Sequence, residues 1–518
     1  MATRRQPDSA GKPASRHILS KSTFIRGMQC PKSLYLYKHS YKLRDPLSAA
    51  QAAIFRRGTN VGVLARELFP GGVDASPPTP FQFARSIEQT SRLVAEGAPV
   101  IYEAAFLFEG VLAAMDVLVR DETAPAGIPR YRAFEVKSST GISETYLLDA
   151  ALQYWVMTGA GVEIADLSIV HIDSSYVRRG ALDLHALFRT VSVLDGALER
   201  HQLVGRRVTE LKAVVAAEAV PEIDIGPHCH DPYPCDFIGT CWRGVPSYSV
   251  FDIARLSTEK KFELYRRGIV DVGAVPDDYP LSDKQRLQVD AERSGNGRID
   301  REAIRSFLGS IAYPLYFLDF ESFQPAVPIY EGTRPYQQIP FQYSLHRIDS
   351  PPDAGHVDEE PAHLEFLAEA GPDPRRPFLD SLLADVGDEG SVLVYNQSFE
   401  NGRLTELAER MPDHAEAVEC VQARIVDLMA PFRGQSYYTP EMRGSYSIKA
   451  VLPALAPDLS YSRLSIQDGT SASIAYEGLF KEPDARRRAL VRRRLLDYCR
   501  LDTLAMVRVL ASLERAVE

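Results

Sequence analysis

Two acidic side chains interrupt an otherwise apolar stretch of this sequence. Residues 315–323 read LYFLDFESF, a pattern that predicts a buried β-strand, and Asp319 and Glu321 lie two positions apart in it. Successive side chains of a strand point to opposite faces, so both carboxylates share one face. Buried carboxylates repel each other unless a cation neutralises them, and Mg²⁺ or Mn²⁺ prefers such oxygen ligands. The stretch predicts half of a two-metal site; the alternative is an edge strand with a solvated acidic face.

Three later residues could complete this site. Glu400 follows a predicted strand at 392–395, at the junction with the next helix, where a third acid can converge on the first pair. Tyr498 and Asp502 are four residues apart on a predicted C-terminal helix, a spacing that places both on one helical face.

The order of these motifs resembles a known family of nucleases. Asp-x-Glu on a strand, Asn-x-x-Phe-acid at a later junction and Tyr-x-x-x-Asp on a late helix resemble the DEDD exonucleases of the RNase H-like fold, in the variant that uses tyrosine. The resemblance covers residues 311–515. It implies that Asp319, Glu321, Glu400 and Asp502 ligate the metals and that Tyr498 orients the attacking water. The family usually has aspartate where this chain has Glu400.

A second constellation lies nearer the N-terminus. Strands are predicted at 100–108, 111–119 and 131–137, with Asp116 on the second and Glu135 and Lys137 sharing a face of the third. Asp116 and Glu135 could hold a metal that activates water, while Lys137 could neutralise charge that develops on a phosphate. A Glu-x-Lys tripeptide alone also recurs on ordinary exposed strands.

This constellation resembles the RecB-like branch of the PD-(D/E)XK nucleases. The matching residues are Asp116, Glu135, Lys137 and, on the helix that follows, Gln153. Many members carry a metal-binding histidine after a glycine of an early helix, and no histidine stands near Gly58 or Gly62.

Four cysteines are candidates for a metal centre. Cys229, Cys235 and Cys241 are spaced six residues apart, and Cys30 lies far upstream. Four thiolates can ligate a [4Fe-4S] cluster or Zn²⁺, although the paired Cys-x-x-Cys units of zinc sites are absent. The arrangement resembles the iron-sulfur RecB-like nucleases, which implies a [4Fe-4S] cluster; zinc or unligated thiols are the alternatives. Two further cysteines, Cys420 and Cys499, are predicted to be small core residues.

Composition bounds the class of protein. The chain has 518 residues, a formal net charge of -10 and 45% hydrophobic residues, which predicts two to four domains of a soluble protein. No apolar run approaches the length of a membrane span and the N-terminus lacks a signal-peptide core, so a cytoplasmic location without membrane contact is expected. The net charge argues against a whole-surface coat of nucleic acid. It leaves room for a local phosphate track, and the arginines of 486–488 and 492–494 form either such a track or a solvated face.

Together these features predict an α/β nuclease built from two fused domains, a combination that resembles an uncharacterised bacterial family. We expect a tail at 1–17, a RecB-like domain at 18–245, a helical linker at 246–310 and an RNase H-like domain at 311–518. The expected activity is Mg²⁺- or Mn²⁺-dependent 3′-to-5′ hydrolysis of DNA strands or ends, in repair, processing or defence, with RNA as an alternative substrate. The alternative from another class is a nucleic-acid-binding iron-sulfur protein whose N-terminal site is vestigial.

Overall fold

A computed structural model describes residues 18–79, 81–123, 129–351 and 361–518. The chain forms two compact units: the described residues up to Arg243 together with Ala326–Pro335, and Gly244–Pro325 together with Tyr336–Glu518. The predicted tail at 1–17 lies outside the described residues. Residues 246–310, predicted as a linker, lie within the second unit, where their apolar side chains form a buried cluster around Leu264 and Val289.

The first unit combines a seven-stranded sheet with helices. Its strands are β1 (Leu19–Ser20), β2 (Val73–Asp74), β3 (Val100–Phe108), β4 (Val111–Arg120), β5 (Arg130–Lys137), β6 (Glu163–Ile172) and β7 (Phe188–Ser192). Its helices are α1 (Lys21–Gln29), α2 (Pro31–His39), α3 (Ala49–Ala65), α4 (Phe83–Ala95), α5 (Glu144–Gly159), α6 (Leu184–Leu187), α7 (Leu194–Ala216) and α8 (Ile238–Cys241).

Strands β4, β5 and β6 form the middle of that sheet. The spatial order is β2-β3-β4-β5-β6-β7, with β4 antiparallel to β5, β5 parallel to β6, and the short β1 paired to β4. Helix α5 begins where the Ser143 side chain accepts a hydrogen bond from the Tyr146 backbone N–H, a common N-cap. The helix buries Leu152 and Val156 in the core of the unit. This packing places the middle of α5 beside β5, where Gln153 donates a hydrogen bond to Glu135.

The second unit contains a five-stranded sheet and a separate two-stranded one. Its strands are β8 (Arg298–Ile299), β9 (Leu315–Phe323), β10 (Ile339–Ile348), β11 (Ala362–Leu367), β12 (Ser391–Val394), β13 (Ile425–Asp427) and β14 (Tyr437–Tyr438). Its helices are α9 (Thr258–Arg266), α10 (Asp283–Ser294), α11 (Arg301–Leu308), α12 (Arg375–Asp385), α13 (Gln397–Arg410), α14 (Ala415–Gln422), α15 (Ala430–Arg433), α16 (Ile448–Leu455), α17 (Gly469–Leu479) and α18 (Ala485–Val517).

Strand β9 is the central strand of the five-stranded sheet. The order is β11-β10-β9-β12-β13, with β10 antiparallel and β12 parallel to β9. Even-numbered Leu318 and Phe320 pack in one core with residues of α12, α13 and α14. Odd-numbered Phe317 packs in another core, with residues of α18. Asp319 and Glu321 continue the odd-numbered face, so the alternative of an edge strand is wrong.

Candidate functional site

Three carboxylates meet in the second unit. One oxygen from each of Asp319, Glu321 and Asp502 lies within 4.8 Å of the others, and among the described residues this is the one group of three or more metal-ligand side chains so close together. Strand β9 supplies the first two acids. Helix α18 supplies Asp502, because it lays a buried stripe that includes Tyr498 and Met506 against the sheet. Strand alternation and helical periodicity therefore position all three.

Burial makes this group unfavourable as free anions. Desolvation and mutual repulsion raise the pKa values of Asp319 and Glu321 well above their usual range. Burial also raises the pKa of Asp502 to about 6, against the opposing effects of Tyr461 and Lys449. Each carboxylate gives up favourable hydration, and none pairs directly with a lysine or arginine in the part of the chain that the structure describes.

Glu400 lies beside this group without joining it. It sits in the first turn of α13, directly after β12, and its charge contributes to the raised pKa values of Asp319 and Glu321. Its side chain is buried and Oε2 has no hydrogen-bond partner. Burial raises the pKa of Glu400 to about 8, and the charge of Asp427 acts in the same direction. Of the four carboxylates predicted to form one site, three therefore lie close together and the fourth, Glu400, lies nearby.

The surroundings of the three carboxylates include groups that sequence reasoning missed. The Tyr461 hydroxyl donates to Asp502 Oδ1 at 2.6 Å, and the Tyr498 hydroxyl also hydrogen-bonds Asp502. The Lys449 ammonium lies 5.6 Å and 5.5 Å from the ring centroids of Tyr461 and Tyr498. The Cys499 thiol, predicted as a core residue, is buried with Sγ 3.5 Å from Asp319 Oδ2. Tyr498 itself lies where the sequence predicted it.

The donor set fits a divalent metal ion. Oxygen-only ligands on a rigid strand and helix suit Mg²⁺ or Mn²⁺. A Cβ at Gly469 would lie 3.3 Å from Glu321 Oε2, so the glycine at the start of α17 leaves space around that oxygen. The Glu400 oxygen without a partner is a further ligand candidate. Asp319, Glu321 and Asp502 would hold the ion, with Glu400 within reach of a second one.

The raised pKa values predict how the stability of the metal-free protein depends on pH. Asp502 and Glu400 bind their protons more tightly in the folded chain, with pKa values of about 6 and about 8, than in the unfolded chain. The folded state therefore carries more protons, and the free energy of unfolding falls as pH rises from about 4 through about 8. Melting temperatures measured in EDTA should show wild type losing stability relative to Glu400→Gln across this range. A wild-type protein that gains stability relative to Glu400→Gln as pH rises would contradict the assignment.

The predicted N-terminal residues also come together. Lys21 and Lys137 both contact Glu135 Oε1, with Nζ–O distances of 2.6 Å and 2.7 Å, and Gln153 Nε2 donates to Oε2 at 2.9 Å. Lys137 Nζ also donates to Asp149 Oδ2 at 2.7 Å. Lys21 and Asp149 were not predicted, because a lysine at the start of a helix and an aspartate within a helix carry no signal of their own.

Asp116 occupies the edge of this cluster. Its Oδ2 accepts the backbone N–H of Val136 at 2.7 Å. Burial and the nearby Glu135 charge raise the pKa of Asp116 to about 7. Burial also opposes ionisation of Glu135, but Lys137 and Lys21 outweigh it and lower the pKa of that carboxyl to about 2. Because Glu135 has both oxygens engaged, the pair predicted to bind metal does not fit a divalent ion in this arrangement.

The four predicted cysteines line one cavity of the first unit. Cys30 joins α1 to α2, Cys229 ends the 3₁₀ turn Pro227–Cys229, Cys241 ends α8, and Cys235 lies between the last two. Burial raises the pKa of Cys30 and Cys241, whereas the backbone N–H groups of Lys32 and Ser33 act on Cys30 in the opposite direction. All four are described residues, and no three of their sulfur atoms lie within 4.8 Å of one another.

Hydrogen bonds fasten the late cysteine loop to the early helices. Gln29 Nε2 donates to the carbonyls of His228 and Tyr233 at 2.8 Å and 2.7 Å. Arg26 and Arg44 both pair with Asp236, which follows Cys235. The cavity therefore joins two segments that are almost 200 residues apart in sequence.

Part of the second unit matches a model of a protein family. Residues 316–447 match the family model described as a domain of unknown function, DUF2779. The uncharacterized protein MG366 homolog of Mycoplasma pneumoniae is 26% identical over 206 residues, which is 37% of this chain and 31% of that protein. The uncharacterized protein UU173 of Ureaplasma parvum is 27% identical over 197 residues, 33% of this chain and 27% of that protein. The chain thus spans less than a third of the length of these curated relatives.

The matched region contains three of the predicted acids, Asp319, Glu321 and Glu400, and ends before Tyr498 and Asp502. None of the described helices has both the length and the hydropathy that a membrane span requires.

Proposed function

We propose that the second unit is a metal-dependent 3′-to-5′ exonuclease that hydrolyses phosphodiester bonds of DNA. The observation that carries the proposal is the meeting of Asp319, Glu321 and Asp502 on a central strand and a long helix. Three carboxylates, two of them buried and one partly buried, repel one another strongly, and such a site recruits divalent cations. Bound Mg²⁺ or Mn²⁺ would polarise the phosphate and stabilise the attacking and leaving oxygens.

The topology of the sheet supports an RNase H-like assignment for this unit. Strands β9, β10 and β11 form an antiparallel meander. Strands β12 and β13 then add in parallel on the other side of β9. In this arrangement the carboxyl ends of β9 and β12 lie at one edge of the sheet. Asp319 and Glu321 lie towards that edge, and Glu400 follows it at the start of α13.

The residues around the acids have separate tasks in this proposal. Burial and the neighbouring acids raise the pKa of Tyr498 far above its usual value, so its hydroxyl stays protonated and can orient a water molecule but cannot serve as a base. Tyr461 holds Asp502 through its 2.6 Å hydrogen bond. Lys449 brings positive charge towards the site and can face a phosphate oxygen.

Replacing each of the two tyrosines should mainly change a different quantity, the rate for Tyr498 and the metal affinity for Tyr461. Tyr498→Phe should lower kcat by about 10- to 100-fold at saturating Mn²⁺, the range that a lost positioning contact costs, and should change the Mn²⁺ requirement less than Tyr461→Phe does. Tyr461→Phe should instead raise the Mn²⁺ concentration needed for half-maximal rate, because Asp502 loses the hydrogen bond that positions it. Mn²⁺ titrations of the exonuclease rate measure both quantities. Identical behaviour of the two variants would contradict these separate roles.

Part of the arginine-rich start of α18 suits a phosphate track. Arg492 donates to the carbonyls of Leu367 and Ala368, and Arg493 pairs with Asp497, so these two are held within the chain. Arg487 and Arg494 are exposed and have no ion pair in the part of the chain that the structure describes. They are seven residues apart and so lie on one face of α18, and Arg494 lies about one turn before Tyr498.

Removing this pair should flatten the salt dependence of binding. Arg487→Gln combined with Arg494→Gln should weaken single-stranded DNA binding and reduce the slope of log K against log[salt] by about 1.4, or roughly 0.7 for each lost phosphate contact. Fluorescence anisotropy over a salt series measures the slope. Arg301→Gln, on the exposed start of α11, is the matched control and should leave it unchanged. An unaltered slope in the double variant would show that these arginines form a solvated face and do not contact phosphate.

For the first unit, we propose a RecB-like domain with a restriction-endonuclease-like fold that binds nucleic acid and holds a [4Fe-4S] cluster through Cys30, Cys229, Cys235 and Cys241. The convergence of all four thiols on one cavity supports the cluster. Sulfurs around a single Zn²⁺ lie within roughly 4 Å of one another, whereas no three of these four sulfurs lie within 4.8 Å of one another. The engaged oxygens of Glu135 favour nucleic-acid binding without cleavage over a second nuclease site.

The nuclease proposal is tested with end-labelled strands. Purified protein should shorten a 5′-labelled single strand of DNA stepwise in Mn²⁺, should release label at once from a 3′-labelled strand, and should do neither in EDTA. A parallel RNA strand determines whether the enzyme acts on DNA, as we propose, or on RNA. Absence of cleavage in Mn²⁺ would contradict the proposal.

A further inference from the structure

The acidic cluster of the first unit already contains its own cations. Lys21 and Lys137 lie 2.6 Å and 2.7 Å from the same Glu135 oxygen, and the other oxygen accepts from Gln153 at 2.9 Å. Both ammonium groups also face Asp149 Oδ2, Lys137 at 2.7 Å and Lys21 at 3.8 Å. Glu135, Asp149 and Gln153 are buried, whereas the Lys21 side chain is partly exposed, so it is the acceptors of these contacts that lie away from solvent.

Charge and space both oppose a divalent ion at this position. Three carboxylates, those of Asp116, Glu135 and Asp149, face two ammonium groups, so most of the negative charge is neutralised. An ion ligated by Glu135 would have to displace a short contact and would then sit beside two positive charges in a poorly hydrated site. The Asp116 Oδ2 atom is occupied by the Val136 N–H as well.

We propose that Lys21 takes the place of a divalent cation in the first unit, so that the cluster is a metal-free ion-pair site that fixes α1 against β5 and α5. Lys21 is the first residue of α1, and Cys30 follows the last residue of the same nine-residue helix. The contact at one end of α1 therefore helps to position a cysteine of the cavity at the other end. This inference does not depend on the exonuclease proposal for the second unit.

The test uses the full chain with the second site disabled. In an anaerobically purified Asp319→Asn/Asp502→Asn background, a Mn²⁺ titration followed by electron paramagnetic resonance of the free ion should reveal no site with Kd below about 1 mM. Adding Lys21→Met should create one Mn²⁺ site per chain, at least about tenfold tighter, because the freed carboxylates then lack their cation. Lys42→Met, an exposed lysine of the same unit, should create none.

Two results would overturn the proposal. One is a Mn²⁺ site already present in the background protein that Asp116→Asn removes, since the cluster would then bind metal with Lys21 in place. The other is a Lys21→Met protein that is folded but gains no Mn²⁺, since Lys21 would then not be the group that excludes the ion. If Lys21→Met folds poorly, the comparison of the background with Asp116→Asn decides the matter alone. Asp319 and Asp502 of the second site are replaced throughout, so failure of the exonuclease proposal cannot imitate either result.

Discussion

Asp319→Asn is expected to lower the Mn²⁺-dependent exonuclease rate roughly a thousandfold or more, which corresponds to the several kcal/mol that a bound metal contributes to stabilising the transition state. Asp319 is the member of the three-carboxylate group that is only partly buried, so it can face both metal and substrate. The amide keeps the shape of the side chain but removes the charge that a metal needs. Initial rates on a labelled single strand, at saturating Mn²⁺, measure the effect.

The same variant should be no less stable than wild type when metal is absent. Burial, together with repulsion from Asp502, Glu321 and Glu400, raises the pKa of Asp319, and the neutral amide avoids both costs. Each kcal/mol gained raises the melting temperature of a unit of this size by roughly 2–4 °C. Asp458→Asn, at an exposed position of the same unit, is the matched control for both measurements. A fully active Asp319→Asn protein would show that this carboxylate does not serve the chemistry.

Loss of one cavity cysteine should have the second large effect. Protein purified without oxygen should be brown and contain about four irons per chain, as four thiolate ligands imply, and Cys235→Ser should lose most of that iron. Because the cavity joins the early helices to the loop after Ile223, the variant should also give a much lower yield of folded protein. Iron analysis, visible absorption and the recovered monomer yield measure these outcomes.

Cys420→Ser is the control for that experiment. Cys420 is exposed, contrary to its prediction as a core residue, and lies in the second unit, so its replacement should change neither iron content nor yield. Colourless wild-type protein with stoichiometric zinc would contradict the cluster. So would a Cys235→Ser protein that keeps its full iron content.

Regular elements with strong patterns were predictable from the sequence. The apolar run at 315–323 and the predicted strand at 100–108 coincide with β9 and β3, because buried strands flanked by Pro or Gly leave a clear signal. The shared face of Asp319 and Glu321 followed from the two-residue repeat of a strand. The placement of Asp502 required only that α18 turn its buried stripe towards the same sheet.

The residues that the sequence did not predict depend on contacts between distant segments. Lys21 meets Glu135 across 114 positions and Tyr461 meets Asp502 across 41, and neither lies in a periodic pattern that points to its partner. Strand β11 leaves little signal in the sequence, because it follows an acidic, proline-containing segment and leaves most of its side chains at least partly exposed. Its pairing with β10 depends on backbone hydrogen bonds, which side-chain patterns do not reveal.

The central claim, that Asp319, Glu321 and Asp502 form a metal centre, is tested most directly by anomalous diffraction from crystals soaked in Mn²⁺. The account predicts a strong manganese peak within ligand distance of these three carboxylates, with a second peak roughly 3.5–4 Å away towards Glu400 if the site holds the ion pair of a two-metal nuclease. Crystals of Asp319→Asn should show neither. A wild-type crystal without manganese density at these carboxylates would contradict the account.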